Sequence, residues 1–409
     1  MTYEILNDEL SFYRSDPKEI SIILESMIKI LRVDRTPEGI QDALKVLFSA
    51  PSILVLKLLA KHKLGPALFI LSEADKHYEF WSSDPQGKAL YNIVEKYYFR
   101  SQKRYQIAKD TAKHIVGLFN KAGIQPLMIR GITIADLLYY DPAIRVFSDI
   151  DFVVSSEEFS QAYNILSVFP KHSKMKTCTT FTVDSYNEEN LKLYIDLHGF
   201  YPTENRGIGE IILGYDYGNY VMQFYNRSKI VDSSIGSIRT IGENDLLQYL
   251  CIHFTKHLIK GGGYLLGLCD IAFLIHRYGE YLDWDEIIKL DSGNSLYPPL
   301  VFSSHWLGVN VPNDILEKIR KKTSRMFQKR VEIEKNSFGS ATLGLNLPKY
   351  VSPLWASYSQ KMISIFTPPF EYLENRGIIK PDTNRFISYL LWFKFLFDTY
   401  LLKKSELKY

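Results

Sequence analysis

Cysteine is scarce in this chain. Cys178, Cys251 and Cys269 are the three among 409 residues, and no two are closely spaced. That excludes a disulfide framework or a cysteine zinc ribbon and leaves reduced core residues as the expectation. Neither sign of charge dominates. Lys and Arg number 49 against 46 Asp and Glu, a net +3, so charge alone does not demand nucleic acid as a partner. No apolar run is long enough to span a bilayer. The closest, 385–402, has 13 apolar residues in 18, with Lys394 and Asp398 inside it. It is too short and too charged for a membrane span and suits core packing or docking on a protein partner, with an interfacial membrane helix the weaker alternative because its polar face is thin. The first residues, Met-Thr-Tyr-Glu-Ile-Leu, offer neither a basic start nor an apolar signal core, so the cytoplasm is the expected location. Internal repeats and low-complexity tracts are also missing.

What is present is an ordinary globular share of apolar residues, 46%, and many aromatics, 28 Tyr and 24 Phe. Aromatic enrichment suits helix packing and a stacking pocket equally. The length implies more than one core.

Residues 1–123 read as helical. Ile20, Ile23, Leu24, Met27, Ile28 and Leu31 recur at the 3–4 spacing of one helix face. Pro51 opens another helix, and Pro85 starts a long one that runs to Asn120 and stops at Gly123. Residues 124–236 read as an α/β unit. A strand over 126–130 leads through Gly131 into a helix over 132–140. Strand 149–154 follows, then a helix capped by Ser155 or Ser156, then strands 177–184 and 191–197. The Gly-, Tyr- and Asn-rich stretch 200–236 reads as an insertion or long loop. Residues 237–310 return to helices, at 243–260, 264–278, 284–290 and 296–307, with Gly261-Gly-Gly263 separating the first two. Residues 311–409 form a mostly helical extension with a Pro-containing extended region at 348–381. The fold class expected is α+β, mostly helical, with one small mixed sheet.

The chemistry concentrates in Asp149-Ile-Asp151-Phe-Val-Val154. Residues two apart on a strand share a face, so Asp149 and Asp151 stand side by side. Paired acids repel each other and are tolerated where a divalent cation neutralises them, most often with phosphate oxygens completing the shell. Asp196 closes a second apolar strand, and His198 shares its face. Gly131 permits a close approach of backbone to phosphate, although an ordinary strand-to-helix turn needs the same glycine. His253 and His257 are one helical turn apart, but the glutamate of a zincin motif is missing between them. A helix face lining a cleft, with Lys256 beside it, fits them better than zinc.

These residues resemble the active-site segment of the DNA polymerase beta-like nucleotidyltransferase superfamily. The narrower resemblance is to a bacterial family described as uncharacterised nucleotidyltransferases. In that family a Lys-Gly turn precedes Arg-Pro-x-x-Asp-x-Asp and an Asp-Leu-His strand follows. This chain reads Arg130-Gly131, Asp149-Ile-Asp151 and Asp196-Leu-His198. Further on, Leu250-Cys-Ile-His253-Phe-Thr-Lys256-His257, Leu265-Leu-Gly-Leu-Cys-Asp270-Ile271 and Asp283-Trp284 follow the family's later helices in order.

The resemblance implies a nucleotidyltransferase core between helical regions. It also implies transfer of a nucleoside monophosphate from an NTP, with ATP the donor expected, to an acceptor hydroxyl. Asp149, Asp151 and Asp196 would be the catalytic acids and the ligands of Mg²⁺ or Mn²⁺. Arg130, Gly131, Arg145, Lys256 and His257 would bind nucleotide phosphates. A structural pairing of Arg145 with Asp141 or Asp149 is the equal alternative. His198, His253 and Asp270 would contact the acceptor or support the acids, or else serve as buried structural partners. A small molecule, peptide or protein is favoured as acceptor over nucleic acid. Arg130 replaces the family's Lys, and Ile132 follows Gly131 where the superfamily has Ser or Gly. A nucleotide-binding pseudoenzyme or scaffold is therefore one alternative. A toxin/antitoxin-type nucleotidyltransferase acting on RNA or protein is the other.

Overall fold

Proline in the first turn, behind a polar cap, starts several of the helices. Asp84 accepts hydrogen bonds from the Gln86 and Gly87 amides, both at 2.8 Å, and Thr36 accepts one from Gly39 at 3.1 Å. The computed structural model describes residues 17–174, 178–183, 193–199, 223–259, 264–289, 293–336 and 384–397. The extended region expected at 348–381, the Gly261–Gly263 turn and the end of the expected 385–402 helix lie outside these. In chain order the elements are α1 (Pro17–Leu31), α2 (Pro37–Ser49), α3 (Ser52–His62), α4 (Gly65–Leu71), α5 (Tyr78–Ser82), α6 (Pro85–Lys121), α7 (Ile132–Leu138), β1 (Asp149–Val154), α8 (Phe159–Leu166), β2 (Lys171–Lys174), β3 (Cys178–Val183) and β4 (Leu193–Gly199). They continue with β5 (Lys229–Ser233), β6 (Gly236–Thr240), α9 (Glu243–Ile259), α10 (Leu265–Tyr278), α11 (Trp284–Lys289), α12 (Tyr297–Leu307), α13 (Asn313–Lys322), α14 (Arg325–Asn336) and α15 (Arg385–Phe397). The chain is α+β and mostly helical, with one small mixed sheet and a separate hairpin.

The sheet has the order β1-β4-β3-β2. β1 and β4 run parallel, and the other pairs are antiparallel. Its two faces differ in kind. Ile150, Phe152, Val154, Leu193, Ile195, Leu197 and Phe181 point to one side and are buried there against Ala108, Ala112, Ile115 and Phe119 of α6 and Ala162 and Leu166 of α8. Phe119 and Phe152 meet edge to face, with ring centroids 5.5 Å apart. With this face committed to packing, period-2 alternation sends Asp149 and Asp151 to the other.

A second core joins the N-terminal helices to those after β6. Ile20, Ile23, Leu24, Met27, Ile28 and Leu31 are all buried in it, as the spacing predicted. The Val33 amide donates to the Leu307 carbonyl at 3.0 Å, tying α1 to the end of α12. α6 serves both cores: Leu90, Tyr91 and Val94 pack in one, and Ala108 to Phe119 in the other.

Two expectations need correction. Segment 126–130 is not a full strand. Leu127 exchanges two hydrogen bonds with Val153, at 2.8 and 2.9 Å, and Met128 donates to Arg239 at 2.9 Å. Pairing then stops, because the backbone turns at Gly131 with φ +56°. Those few bonds join the sheet to the β5–β6 hairpin. That hairpin is the second correction, because it lies in and beyond the stretch 200–236 read as a loop. Ser155 and Glu158 do form a reciprocal cap before α8. The Glu158 amide donates to Ser155 Oγ at 3.3 Å, and the Ser155 amide donates to the Glu158 carboxylate at 3.2 Å.

Phe152 sits at the middle of the packed face with no exposed surface. Replacing it with alanine should cost about 3–5 kcal/mol in urea unfolding. A loss under about 1 kcal/mol would mean that this face does not carry the sheet's stability.

Candidate active site

Parallel pairing sets Asp151 directly beside Asp196, and Asp149 beside Tyr194. Residues in register on neighbouring strands share a face, so all three carboxylates lie on the side away from α6. His198 is two residues beyond Asp196 on that same side. Asp151, Asp196 and His198 each offer a ligand atom, and these atoms lie within 4.8 Å of one another. Asp149 stands two residues before Asp151 on the same strand, ~7 Å along it, and is not part of that close cluster.

Asp151 is buried, with 1% of its side chain exposed. Its Oδ1 accepts hydrogen bonds from Arg130 and from His198, the latter at 3.2 Å. Burial opposes its charge, but the Arg130 guanidinium and the His198 ring outweigh that and hold its carboxyl well below the usual range. The opposite happens at Asp149. Burial first, then the like charges of Asp151 and Asp196, push its carboxyl up to about 6. Asp151 Oδ2 and Asp196 Oδ1 are buried without a hydrogen-bond partner among the described residues. Two orphaned carboxylate oxygens on adjacent strands, with an imidazole beside them, fit a hard divalent cation such as Mg²⁺ or Mn²⁺.

Arg130, expected to grip phosphate, is thus bonded to an acid, though it still faces the cleft. Gly131 caps α7, and its conformation of φ +56°, ψ −120° is one that side chains avoid. A Cβ there would meet the Asp149 carbonyl oxygen at 2.5 Å. The glycine is therefore what lets the turn press against the first acid.

Arg145 was expected to hold phosphate or to pair with Asp141 or Asp149. It does neither of the pairings. Its Nε and one terminal nitrogen each donate to Asp270 at 2.9 Å, and the other donates to the Gly131 carbonyl at 3.2 Å. Tyr139 donates to the same carboxylate at 2.7 Å. Asp270 is 3% exposed and ties α10 to both ends of α7. Breaking such a buried, bonded pair costs about 3–5 kcal/mol.

Asp149 and Asp151 open onto a cavity of about 380 Å³ between the sheet edge and the helices α9 and α10. His253 and His257 line it and meet edge to face at 4.6 Å. Tyr249 continues the row behind His253, at 6.0 Å, and Tyr264 beyond His257, at 6.3 Å. Burial first, then the nearby Arg130, pushes His253 well below its ordinary value and keeps that ring neutral. Lys256 is not among the lining residues. Lys63 is, and sequence reasoning missed it. It holds the left-handed cap of α3 at φ 58° and extends its ammonium over the Tyr264 ring, 5.7 Å from the centroid. Nothing in the sequence ties Lys63 to residues two hundred positions away. The preceding His62 is wholly buried and accepts the Leu265 amide at 3.4 Å, which fixes α3 against the start of α10.

The Asp149 shift has a definite sign. A carboxyl raised in the fold binds protons more tightly there than in the unfolded chain, so its contribution to stability falls as pH rises from about 4 through about 6. Asp149→Asn removes that loss. Without metal, the variant's melting temperature should gain on the wild type between pH 4 and pH 7. A constant difference across that range would mean that Asp149 is not perturbed.

No helix among the described residues is long and apolar enough to cross a membrane. No curated protein and no solved structure matches the chain. One family model does, over residues 54–308, more than half of the chain and a span that contains every acid and cleft residue described above. The chain belongs to the family described as uncharacterised nucleotidyltransferase.

Proposed function

We propose that this protein transfers a nucleoside monophosphate from an NTP, with ATP the first donor to try, to a hydroxyl of a small molecule, peptide or protein. The acceptor oxygen forms a bond to the α-phosphorus, the bond to the β-phosphate oxygen breaks, and pyrophosphate leaves. The observation that supports this most is the register of Asp151 against Asp196, with buried, unbonded carboxylate oxygens beside a cleft of nucleotide size.

Asp151 and Asp196, with Asp149 on the same face and His198 adjacent, would hold Mg²⁺ or Mn²⁺. When bound, such a cation neutralises phosphate charge and stabilises the attacking and leaving oxygens. The protein's own groups do the rest. His198 and Arg130 fix the orientation of Asp151. Arg130 and Lys63 place positive charge along the cleft for the triphosphate. His253, His257 and Tyr264, which line the cleft, offer ring faces on which a base can stack. Arg145 acts as a positioning residue, holding the Gly131 carbonyl and hence the turn beside Asp149. The acceptor's proton passes to Asp149, beside the cluster, whose carboxyl holds a proton more tightly than usual.

The test uses an α-labelled NTP, Mg²⁺ or Mn²⁺ and a cell extract. Label should enter one acceptor fraction with stoichiometric pyrophosphate. Asp151→Asn and Asp196→Asn should each lower that rate about a hundredfold or more, with the fold retained by circular dichroism. Nucleotide binding without any label transfer would favour the scaffold reading, to which the Arg130–Asp151 contact also lends support.

A further inference from the structure

A second and larger cavity, of about 640 Å³, lies one turn further along α7 and α10 from the acids. No residue lines both cavities, yet both are built on α7 and α10. Ile134 and Asp270 face the acidic cleft, while Leu138 and Phe273, one helical turn further on, face the second cavity. Its floor is apolar: Leu44, Leu71, Leu138, Phe80 and Phe273. Its rim carries Arg35 and Arg277, with His77 and His276 beside them. Glu73 is the one acid among the lining residues, and its carboxylate is shared by Lys76 at 3.2 Å and His77 at 3.9 Å.

The two arginines are held in place but not used up. Arg35 donates one N–H to the Arg32 carbonyl at 3.0 Å. Arg277 donates one to the Leu137 carbonyl at 2.9 Å, in the last turn of α7. Each guanidinium has five N–H groups, so each retains donors for a ligand. An apolar pocket of drug-like volume with two anchored guanidinium groups at its mouth is built for a molecule with an apolar body and an anionic end.

We infer that this cavity is a binding site for a small organic anion, a carboxylate or phosphate carried on an aromatic or aliphatic body. It is distinct from the acidic cleft and does not depend on the transfer reaction. The occupant's body lies on Phe80, Phe273 and Leu138, and its charge lies between Arg35 and Arg277. Because Arg277 also caps α7, the anion reaches the helix whose other end is Gly131.

Titration calorimetry of the full chain with 4-phenylbutyrate, without nucleotide or metal, tests this directly. The carboxylate should bind, and the neutral 4-phenylbutyramide should bind about tenfold or more weakly. Arg35→Gln should weaken the carboxylate about tenfold and leave the amide unchanged. Ile40→Trp, which fills the cavity from α2, should abolish both. Asp196→Asn, in the other cleft, should change neither, and it keeps failure here separate from failure of the catalytic reading. No binding of 4-phenylbutyrate, equal binding of acid and amide, or wild-type binding by a folded Ile40→Trp variant would each overturn the proposal.

Discussion

Asp151 and Asp196 stand opposite each other on adjacent parallel strands, and the surrounding structure answers the repulsion that this creates. Two carboxylates in register cannot both stay charged and buried without positive partners. Arg130 and His198 supply them at Asp151, while Asp149 answers by holding a proton more tightly. The arrangement persists because the opposite face of the same strands is locked to α6 and α8, and a slip of one residue would bury the acids and expose Ile150, Phe152 and Ile195. Hydrophobic packing on one side thus holds an electrostatically unfavourable cluster on the other.

The site's walls depend on a second buried polar knot. Asp270 binds Arg145 and Tyr139, and Arg145 reaches the Gly131 carbonyl. This connects α10, α7 and the turn before β1, so the helical wall and the acidic strand are positioned by the same few bonds. Tyr139 also packs its ring on Phe273 at 4.9 Å. The knot therefore lies between the acidic cleft and the second cavity. α6, which packs in both hydrophobic cores, carries the larger-scale alignment of the sheet against the helices.

Much of this was legible in the sequence where one periodicity ran long enough. The α1 stripe, α6 from its Pro85 start, and β1 over Asp149–Val154 all matched because the apolar spacing was long and regular. β2, Lys-His-Ser-Lys, was missed because it has no apolar alternation and pairs only at the sheet edge. The β5–β6 hairpin was missed because it follows a long Gly- and Tyr-rich stretch and has a single buried residue on β5's partner face before Thr240, namely Ile238. The acids were visible as a two-residue spacing. Their partners were not: the Arg145–Asp270 pair spans 125 residues, and no local pattern records it. Lys63 entered the cleft for the same reason, through tertiary packing of α3 on α10.

The claim on which the account rests is that Asp151 and Asp196 form one cation site. Anomalous diffraction from crystals soaked in Mn²⁺ and a non-hydrolysable ATP analogue tests it most directly. The account predicts a manganese peak bound by Asp151 and Asp196, with the analogue's phosphates in the cleft beside Arg130 and Lys63. A structure with the analogue bound and no manganese at those carboxylates, or with the Arg130–Asp151 contact unbroken and manganese elsewhere, would contradict it.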